Sequence, residues 1–528
     1  MNDSAVSQDS VFAFLADPAT HGGSKVRRID THAAAVFLAG KRAYKVKRAV
    51  RFPFLDYSTL ARRRAACTAE LEVNRPFAPE LYLRVVPIVR APDGRLQIDG
   101  SGEPVEWAVE MRRFDENQTL DHLARDGRID DALADSLARA VVAMHARAPV
   151  VDFAAWIAEV QDILGQNAAA FREVPELFPA EPAGRLDRTA RASFDRLRPL
   201  LLARGSRGLV RRGHGDLHLA NIALIDGRPL PFDAIEFDPM IAAGDVLYDL
   251  AFLLMDLVER GLKRPANLVL NRYLSETGRD DDLDGLAALP FFMSLRAAIR
   301  AKVVAAQMRH ADAGRRVELG ESAKVYFDLA LRLLAPPSPV LVAIGGLSGT
   351  GKSTLARALA PYLAPEPGAV IARSDVERKK LFGVDETERL SEEAYGADVN
   401  AKVYARVYDK AARVLAARCS AIADAVFARA GERAAIADVA ARNSARFHGI
   451  FLVADLGKRL ERIGERVSDA SDADASVARR QEEYAFDNVE WLRIDASGPL
   501  EDTLKKVCAA IGCEPAAVRR QAAAIETR

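Results

Sequence analysis

The sequence predicts two joined folds: a mixed α+β segment over residues 1–335, then a doubly wound α/β segment with a parallel sheet over 336–528. Three observations carry that prediction. Ala335-Pro336-Pro337-Ser338-Pro339 interrupts a long helical pattern, and proline neither continues a helix nor lets its predecessor stay helical. After it, Val340-Leu-Val-Ala-Ile344 is a short apolar run bounded by turn residues, the pattern of a buried strand. Before it, hairpin and strand patterns give way to helical ones from about Ile129 onward. Each part holds its own motif set, so two independently folding halves are expected.

The N-terminal elements follow in order. Ala35-Val-Phe-Leu38, Gly40-Lys41 and Ala43-Tyr-Lys-Val-Lys47 read as strand, turn and strand. A helix is expected from Ser58 to Arg75 and a strand over Leu81–Val89. Two further features stand out, a polar loop at 213–221 and a strand-like stretch at 230–237; helices are expected over 246–334.

Composition sets the outer bounds. A chain of 528 residues is too long for one ordinary domain. Hydrophobic residues at 49% and charged residues at 28% fit a globular protein with sizeable cores. Lysine plus arginine and aspartate plus glutamate are 74 each, which weighs against general polyanion or nucleic-acid binding. No apolar run approaches the ~18 residues that span a bilayer. The first 24 residues hold Asp3, Asp9 and Asp17 but no Lys or Arg, unlike the start of a secretory signal. Cys67, Cys419, Cys508 and Cys513 are too scattered for a disulfide framework or a CxxC metal site. A soluble, cytoplasmic protein without a membrane partner is expected.

Gly346-Leu347-Ser348-Gly349-Thr350-Gly351-Lys352-Ser353-Thr354 fits GxxxxGK(S/T), with a strand before it and the helix-forming Leu355-Ala-Arg-Ala-Leu-Ala after it. Glycines let backbone N–H groups turn inward around phosphates, and the helix N-terminus adds a favourable dipole. Lys352 is expected to reach the β- and γ-phosphates of ATP, and the Ser353 hydroxyl to join a Mg²⁺ shell. Val370-Ile-Ala-Arg373-Ser-Asp375 and Ala421-Ile-Ala-Asp424 read as strands ending near acids. Ligands of an open parallel sheet bind beyond the carboxyl ends of its strands, so both acids should face the phosphates. Asp375 can accept the acceptor's hydroxyl proton or simply cap a helix; Asp424 can serve the metal or simply end a turn. Phe451-Leu-Val-Ala-Asp455 is a further strand, followed by Arg459, Arg462 and Arg466 at spacings that share a helix face. Arg462 and Arg466 are candidates for stabilising charge on the transferring group, from a lid that continues into an Asp/Ser-rich loop.

With these motifs quoted, residues 338–500 resemble the small P-loop kinases grouped with gluconate kinase and the kinase domain of polynucleotide kinase. GLSGTGKST, RSDVERK, IADAVF and ERIGERVSDASDAD carry the resemblance. It implies an ATP-dependent kinase acting on a hydroxyl, without identifying the acceptor.

His214-Gly-Asp216-Leu-His-Leu-Ala-Asn221 has the HxDxxxxN spacing of a phosphotransferase catalytic loop. Asp216 can orient or deprotonate an acceptor hydroxyl while Asn221 turns back toward Mg²⁺. Pro231-Phe232-Asp233-Ala-Ile-Glu236-Phe237-Asp238 offers three acids for the second metal role, with Asp233 preferred because it ends the apolar strand. HGDLHLANI followed by a strand and an acid resembles the aminoglycoside phosphotransferase family, related to choline and fructosamine kinases, over roughly residues 25–330. The resemblance implies a bilobal, protein-kinase-like fold. It also implies an ATP-pairing lysine, for which Lys45 is preferred over Lys47 because Ala43 on the same face leaves room for an adenine, and a partner acid, for which Glu70 is preferred over Glu72. Adenine would bind backbone groups at Glu110 and Met111. The sequence departs from the pattern in having no glycine-rich loop before the lysine strand, since Gly22-Gly23 lies too far upstream. Asp245 and Asp249 are expected to brace the loop, and His218 to orient it.

The pairing resembles bacterial fusions of a phosphotransferase with a P-loop kinase. It implies a tandem kinase using ATP and Mg²⁺ on small-molecule hydroxyl acceptors. Two other readings stay open: an N-terminal metabolite-sensing module that regulates the P-loop kinase, and a polynucleotide 5′-hydroxyl kinase in the C-terminal part.

Overall fold

The computed structural model describes residues 7–52, 55–465, 469–483 and 489–513. By packing, the chain divides into one compact unit of residues 1–165 and 198–256 and a second of 166–197 and 257–528.

The first unit opens with α1 (Gln8–Ala16) and the antiparallel strands β1 (Val26–Asp30), β2 (Ala34–Ala39) and β3 (Arg42–Lys47). The β2–β3 hairpin lies where the sequence predicts it, with Gly40 left-handed at the turn (φ 54°). A short pair, β4 (Arg51–Phe52) and β5 (Leu55–Asp56), leads to α2 (Leu60–Asn74), whose first turn is capped by the Thr59 hydroxyl accepting the Arg62 N–H. Then β6 (Tyr82–Arg90), β7 (Leu96–Ile98) and β8 (Glu103–Arg112) complete a sheet ordered β1-β2-β3-β8-β6-β7. Strand β3 buries Tyr44 and Val46 in a cluster with Phe12, Phe37, Val86 and Ile88. Alternation therefore turns Ala43, Lys45 and Lys47 to the other face.

Helices α3 (Leu120–Arg125) and α4 (Asp131–Arg147) follow, and α5 (Phe153–Glu173) and α6 (Ala180–Ser206) each cross the division between the units. Strand β9 (Val210–Arg212) pairs with β12 (Ala243–Asp245), and β10 (Ile222–Ile225) with β11 (Arg228–Pro231). Helix α7 (Val246–Glu259) packs its acids back toward the 213–221 loop. The strand expected over 230–237 ends early, at Pro231, because Asp233 turns left-handed (φ 61°) and breaks the extended run.

The second unit begins with α8 (Lys263–Thr277), α9 (Asp280–Gly285), α10 (Leu289–Gln307) and α11 (Ala313–Leu333). After the proline stretch come β13 (Val340–Gly346), α12 (Lys352–Leu359), β14 (Val370–Arg373) and α13 (Ser374–Phe382). They are followed by α14 (Ala397–Ala416), β15 (Ala421–Asp424), α15 (Ala430–Arg442) and β16 (Arg446–Val453). The chain continues through α16 (Leu456–Gly464), α17 (Ala475–Arg480), β17 (Leu492–Asp495) and α18 (Leu500–Ile511). The sheet is parallel throughout, in the order β14-β15-β13-β16-β17. Strand β13 is central and buried along its length, as its unbroken apolar run requires. Val342, Ile344, Leu355, Leu359, Ile422, Ile450 and Val507 form the core on one face.

The packing boundary, 256/257, thus falls well before the boundary at 335/336 that separates the two motif sets. Of the helices between them, α8 packs on β14, α9 on α14, and α10 on α11. Among the described residues, no helix is long and apolar enough to cross a membrane.

Candidate active sites

In the first unit, a chain of buried charges runs through β3. Glu70, on α2, is fully buried and divides its carboxylate between two lysines: Oε1 meets Lys45 Nζ at 2.8 Å and Oε2 meets Lys47 Nζ at 2.6 Å. Lys45 also reaches Asp233 Oδ1 at 2.5 Å, while Lys47 is paired with Glu236, which in turn accepts the Tyr57 hydroxyl at 2.9 Å. Burial pushes the Lys45 pKa down, but Asp233 and Glu70 outweigh it and hold the ammonium well above its ordinary value. Burial would likewise raise Glu70, but Lys45 and Lys47 bring it below the usual carboxylate value. Both lysines therefore stay charged where they are buried, which a buried ammonium does only when paired. Glu72, the alternative acid on α2, is exposed.

The Asp233 turn is fixed from two sides. The Asp233 N–H donates to Tyr82 Oη at 3.0 Å, and Asn74, one turn beyond Glu70, accepts the Ala234 N–H at 2.8 Å. Asp233 keeps 45% of its side chain exposed, unlike Glu236 at 7%.

The 213–221 loop hangs on Asp249. The His214 N–H donates to Asp249 Oδ2 at 2.9 Å and the Gly215 N–H to Oδ1 at 3.0 Å. His214 donates through Nε2 to the Phe232 carbonyl at 2.9 Å and accepts the Asp216 N–H at Nδ1 (3.3 Å), which fixes a neutral tautomer. Burial lowers its pKa in agreement. Asn221 Nδ2 donates to Asp216 Oδ2 at 2.9 Å, and His218 Nε2 lies 3.3 Å from the same oxygen. The structure thus gathers Lys45, Lys47, Glu70 and Asp233 in one cluster, and Asp216 with Asn221 in another. Glu110 and Met111 do not stand open to a ligand. They lie inside β8, laddered to β3 and β6, and Glu110 pairs with Arg84 and Arg42. The next two N–H groups, of Arg112 and Arg113, are also bonded to backbone carbonyls. Sequence pattern located the strand but not its end.

In the second unit, the turn after β13 wraps a cleft of about 1790 Å³ lined by Ser348–Leu355, Asp375, Arg378, Asp424 and Arg462. Gly346 and Leu347 form the turn's entry, and Thr354 lies in the first turn of α12. Gly349 is left-handed (φ 85°), and a Cβ there would stand 2.6 Å from the Arg459 carbonyl. Lys352 Nζ donates to the Leu347 carbonyl at 3.0 Å, folding back over the loop. Ser353 Oγ donates to Asp424 Oδ2 at 2.6 Å. Burial raises the Asp424 carboxyl pKa despite nearby Arg373 and Lys352. Arg373 lies 3.7 Å from Asp424, 3.6 Å from Asp375 and 2.5 Å from Asp469, tying the strand-end acids to the segment after α16. Hydroxyl, carboxylate and amide oxygens at Ser353, Asp424, Asn221 and Asp233 are the donor types that Mg²⁺ takes.

Arg459 and Arg462, both on α16, play different parts. Arg459 is buried and braces the turn, donating to the Ser348 carbonyl at 2.8 Å and the Ala478 carbonyl at 3.1 Å. Arg462 lines the cleft and donates to the Ala496 carbonyl at 2.8 Å. Arg466 lies outside the described residues. Three participants carried no signal strong enough to single them out: Arg373, Tyr57 and Asn74. Only Arg373 stood beside a motif acid.

Residues 35–289 match the phosphotransferase enzyme family, and residues 341–486 match the AAA domain family. An uncharacterized protein of Mycobacterium tuberculosis (strain H37Rv) is 29% identical over 479 residues, covering 89% of this chain and 92% of the relative. An uncharacterized protein of Mycobacterium bovis matches to the same extent, 29% over 479 residues. Among solved structures, a choline/ethanolamine kinase family protein from Mesorhizobium loti is 13% identical, covers 62% of this chain and 98% of its own, and has a TM-score of 0.35. A gluconokinase from Sinorhizobium meliloti is 20% identical, covers 33% and 92%, and has a TM-score of 0.25. Both matched families point to phosphotransfer with ATP.

Proposed function

We propose that this chain, a phosphotransferase-family segment joined to an AAA-type P-loop segment, is a tandem kinase whose two sites each move the γ-phosphoryl group of ATP to a small-molecule hydroxyl. One observation carries the reading. Each unit holds its own phosphate-neutralising lysine, metal-type oxygens and an acid suited to an acceptor hydroxyl.

In the first unit, Lys45, held by Glu70, meets the nucleotide phosphates. Asp216 orients the acceptor hydroxyl and takes its proton as oxygen attacks the γ-phosphorus and the bond to ADP breaks. His218 and Asn221 fix the Asp216 carboxylate for that role. In the second unit, backbone N–H groups of 346–354 and Lys352 cradle the phosphates, Asp375 addresses the acceptor, and Arg462 faces the developing charge. Bound Mg²⁺, held by Asn221 and Asp233 in one site and by Ser353 with Asp424 in the other, would neutralise charge on the β- and γ-phosphates. The intact Lys45–Glu70 pair and the Asp216–Asn221 contact favour an active first site over a metabolite sensor.

The test is transfer of label from γ-labelled ATP by the full chain to sugars, amino alcohols, nucleosides and 5′-hydroxyl oligonucleotides. Asp216→Asn and Lys352→Ala each silence one site. Two acceptors, each lost with a different variant, support the tandem reading; a single acceptor insensitive to Asp216→Asn favours the sensor. Transfer to oligonucleotides alone by the second site would replace the small-molecule acceptor there.

A further inference from the structure

Strand β14 is the edge of the parallel sheet, and α8 lies against it. Asn271 treats that edge as a neighbouring strand would. Its Oδ1 accepts the Ile371 N–H at 2.8 Å, and its Nδ2 donates to the Ala369 carbonyl at 3.0 Å. Asn267, one turn earlier and buried, donates to the same carbonyl at 3.0 Å. Gly368 leaves the room for this, since a Cβ there would stand 2.7 Å from Asn267 Nδ2. Next to Asn271, Arg272 Nη1 donates to Glu386 Oε2 at 3.0 Å, and one turn further along α8 Ser275 Oγ donates to Glu386 Oε1 at 2.8 Å. Glu386 belongs to the loop after α13. The same loop is held at its far end by Asp472 of the segment after α16, which accepts the Leu390 N–H at 3.1 Å and the Tyr395 hydroxyl at 2.5 Å.

These contacts bracket one piece of chain. Strand β14 delivers Asp375 and Arg378 to the cleft through α13, and the following loop supplies Arg389, Leu390 and Tyr395 to the cleft wall. Helix α8 grips the strand at one end and the loop at the other.

We propose that α8 is a working part of the P-loop site: Arg272 and Ser275, acting through Glu386, are positioning residues that set the acceptor wall and aim Asp375. The inference rests on the kinase reading of that site. It extends that site's machinery into chain that precedes its motif by about seventy residues. The nucleotide side of the cleft, built on β13 and α12, does not depend on the clamp.

The test uses the full chain with Asp216→Asn, so that ATP turnover with water as acceptor reports the P-loop site. Lys352→Ala added to it must abolish that turnover; if it does not, the kinase reading fails and the clamp is not at issue. Where it does, Arg272→Met and Glu386→Gln should each lower kcat about fivefold, the worth of one half-buried ion pair, with KM for ATP unchanged. Amides of 386–395 should exchange faster, those of β13 should not. The exchanged pair Arg272→Glu with Glu386→Arg should restore both. The milder Arg272→Lys should lie between, and serves if the others fold poorly. Unchanged kcat, a rise in KM for ATP alone, or a failed restoration accompanied only by a lower melting temperature would overturn the proposal.

Discussion

Replacing Asp249 by asparagine tests how the 213–221 loop is held. The carboxylate is buried and uses both oxygens on backbone donors, Oδ2 on the His214 N–H and Oδ1 on the Gly215 N–H, with His145 Nε2 3.2 Å from Oδ2. Asparagine keeps the shape but has one acceptor oxygen, so its amide nitrogen must confront at least one of those N–H groups. A buried donor left unmade costs roughly 1–3 kcal/mol, and a bond to a charged acceptor is worth about 1.5–3 kcal/mol. The loop should therefore be destabilised by about 2–4 kcal/mol, which speeds local opening by ~30- to 1000-fold. The Gly213 backbone passes close to the same carboxylate, where a Cβ would lie 2.6 Å from Asp249 Oδ2. The assay is hydrogen–deuterium exchange of peptides covering 213–221, with β6 and β8 as internal standards. Phosphoryl transfer by the first site should fall with it, since Asp216 follows directly on the braced residues. A change in exchange of less than about threefold, under ~0.7 kcal/mol, would refute the reasoning.

Lys352→Ala should lower transfer at the P-loop site by roughly 10²–10³ while first-site transfer persists, checked with each site's own acceptor. Asp216→Asn should cost about 10²–10⁴ in first-site rate yet leave nucleotide affinity intact, because Asn221 and Asp233 remain. By contrast, Asp233→Ala should weaken binding of a nonhydrolysable ATP analogue, read by calorimetry on the full chain carrying Lys352→Ala; the reverse pattern would exchange the two roles. His214 titrates below its ordinary 6.5 because it is buried, so the unfolded chain takes up the proton first. Stability from the neutral ring is present above 6.5 and lost as pH falls from there toward the folded value. His214→Gln should flatten that loss by up to about 1.4 kcal/mol per pH unit, measured as unfolding free energy between pH 5 and 7.5.

What the sequence discloses is local chemistry; what it hides is decided by distant partners. The P-loop is legible because its glycines, lysine and hydroxyl answer to one continuous turn between β13 and α12. The HGDLHLAN loop is legible for the same reason; of the two acids expected to brace it, Asp249 does so, while Asp245 pairs with Arg204 instead. Pattern favours Lys45 over Lys47 only through the room left by Ala43, and the packing shows how alike the two are: alternation puts them on one face, where one carboxylate serves both. The end of β8 was invisible because nothing in Glu110-Met111 marks where laddering stops. Arg459 and Arg462 share a helix and a residue type, and only the position of the Ser348 carbonyl makes the first a brace. Asn267, Asn271 and Arg272 look like ordinary polar helix residues; their meaning comes from a strand about a hundred residues later.

The asparagine-capped edge of β14 bears on how this protein is cut for expression. A fragment that starts at the proline stretch leaves α8 behind. It bares the Ile371 N–H and Ala369 carbonyl along an apolar edge, where Val370 and Ala372 are buried in the intact chain. An uncovered edge strand is a template for any other strand, in another copy or in a partly folded chain. Such a fragment should precipitate or pair edge to edge at concentrations the whole chain tolerates. A fragment that keeps that cover must begin before α8, and it also needs residues 166–197, whose Phe171 and Phe178 pack on Phe327, so the sensible cut lies well before the first residue of the phosphate-binding motif.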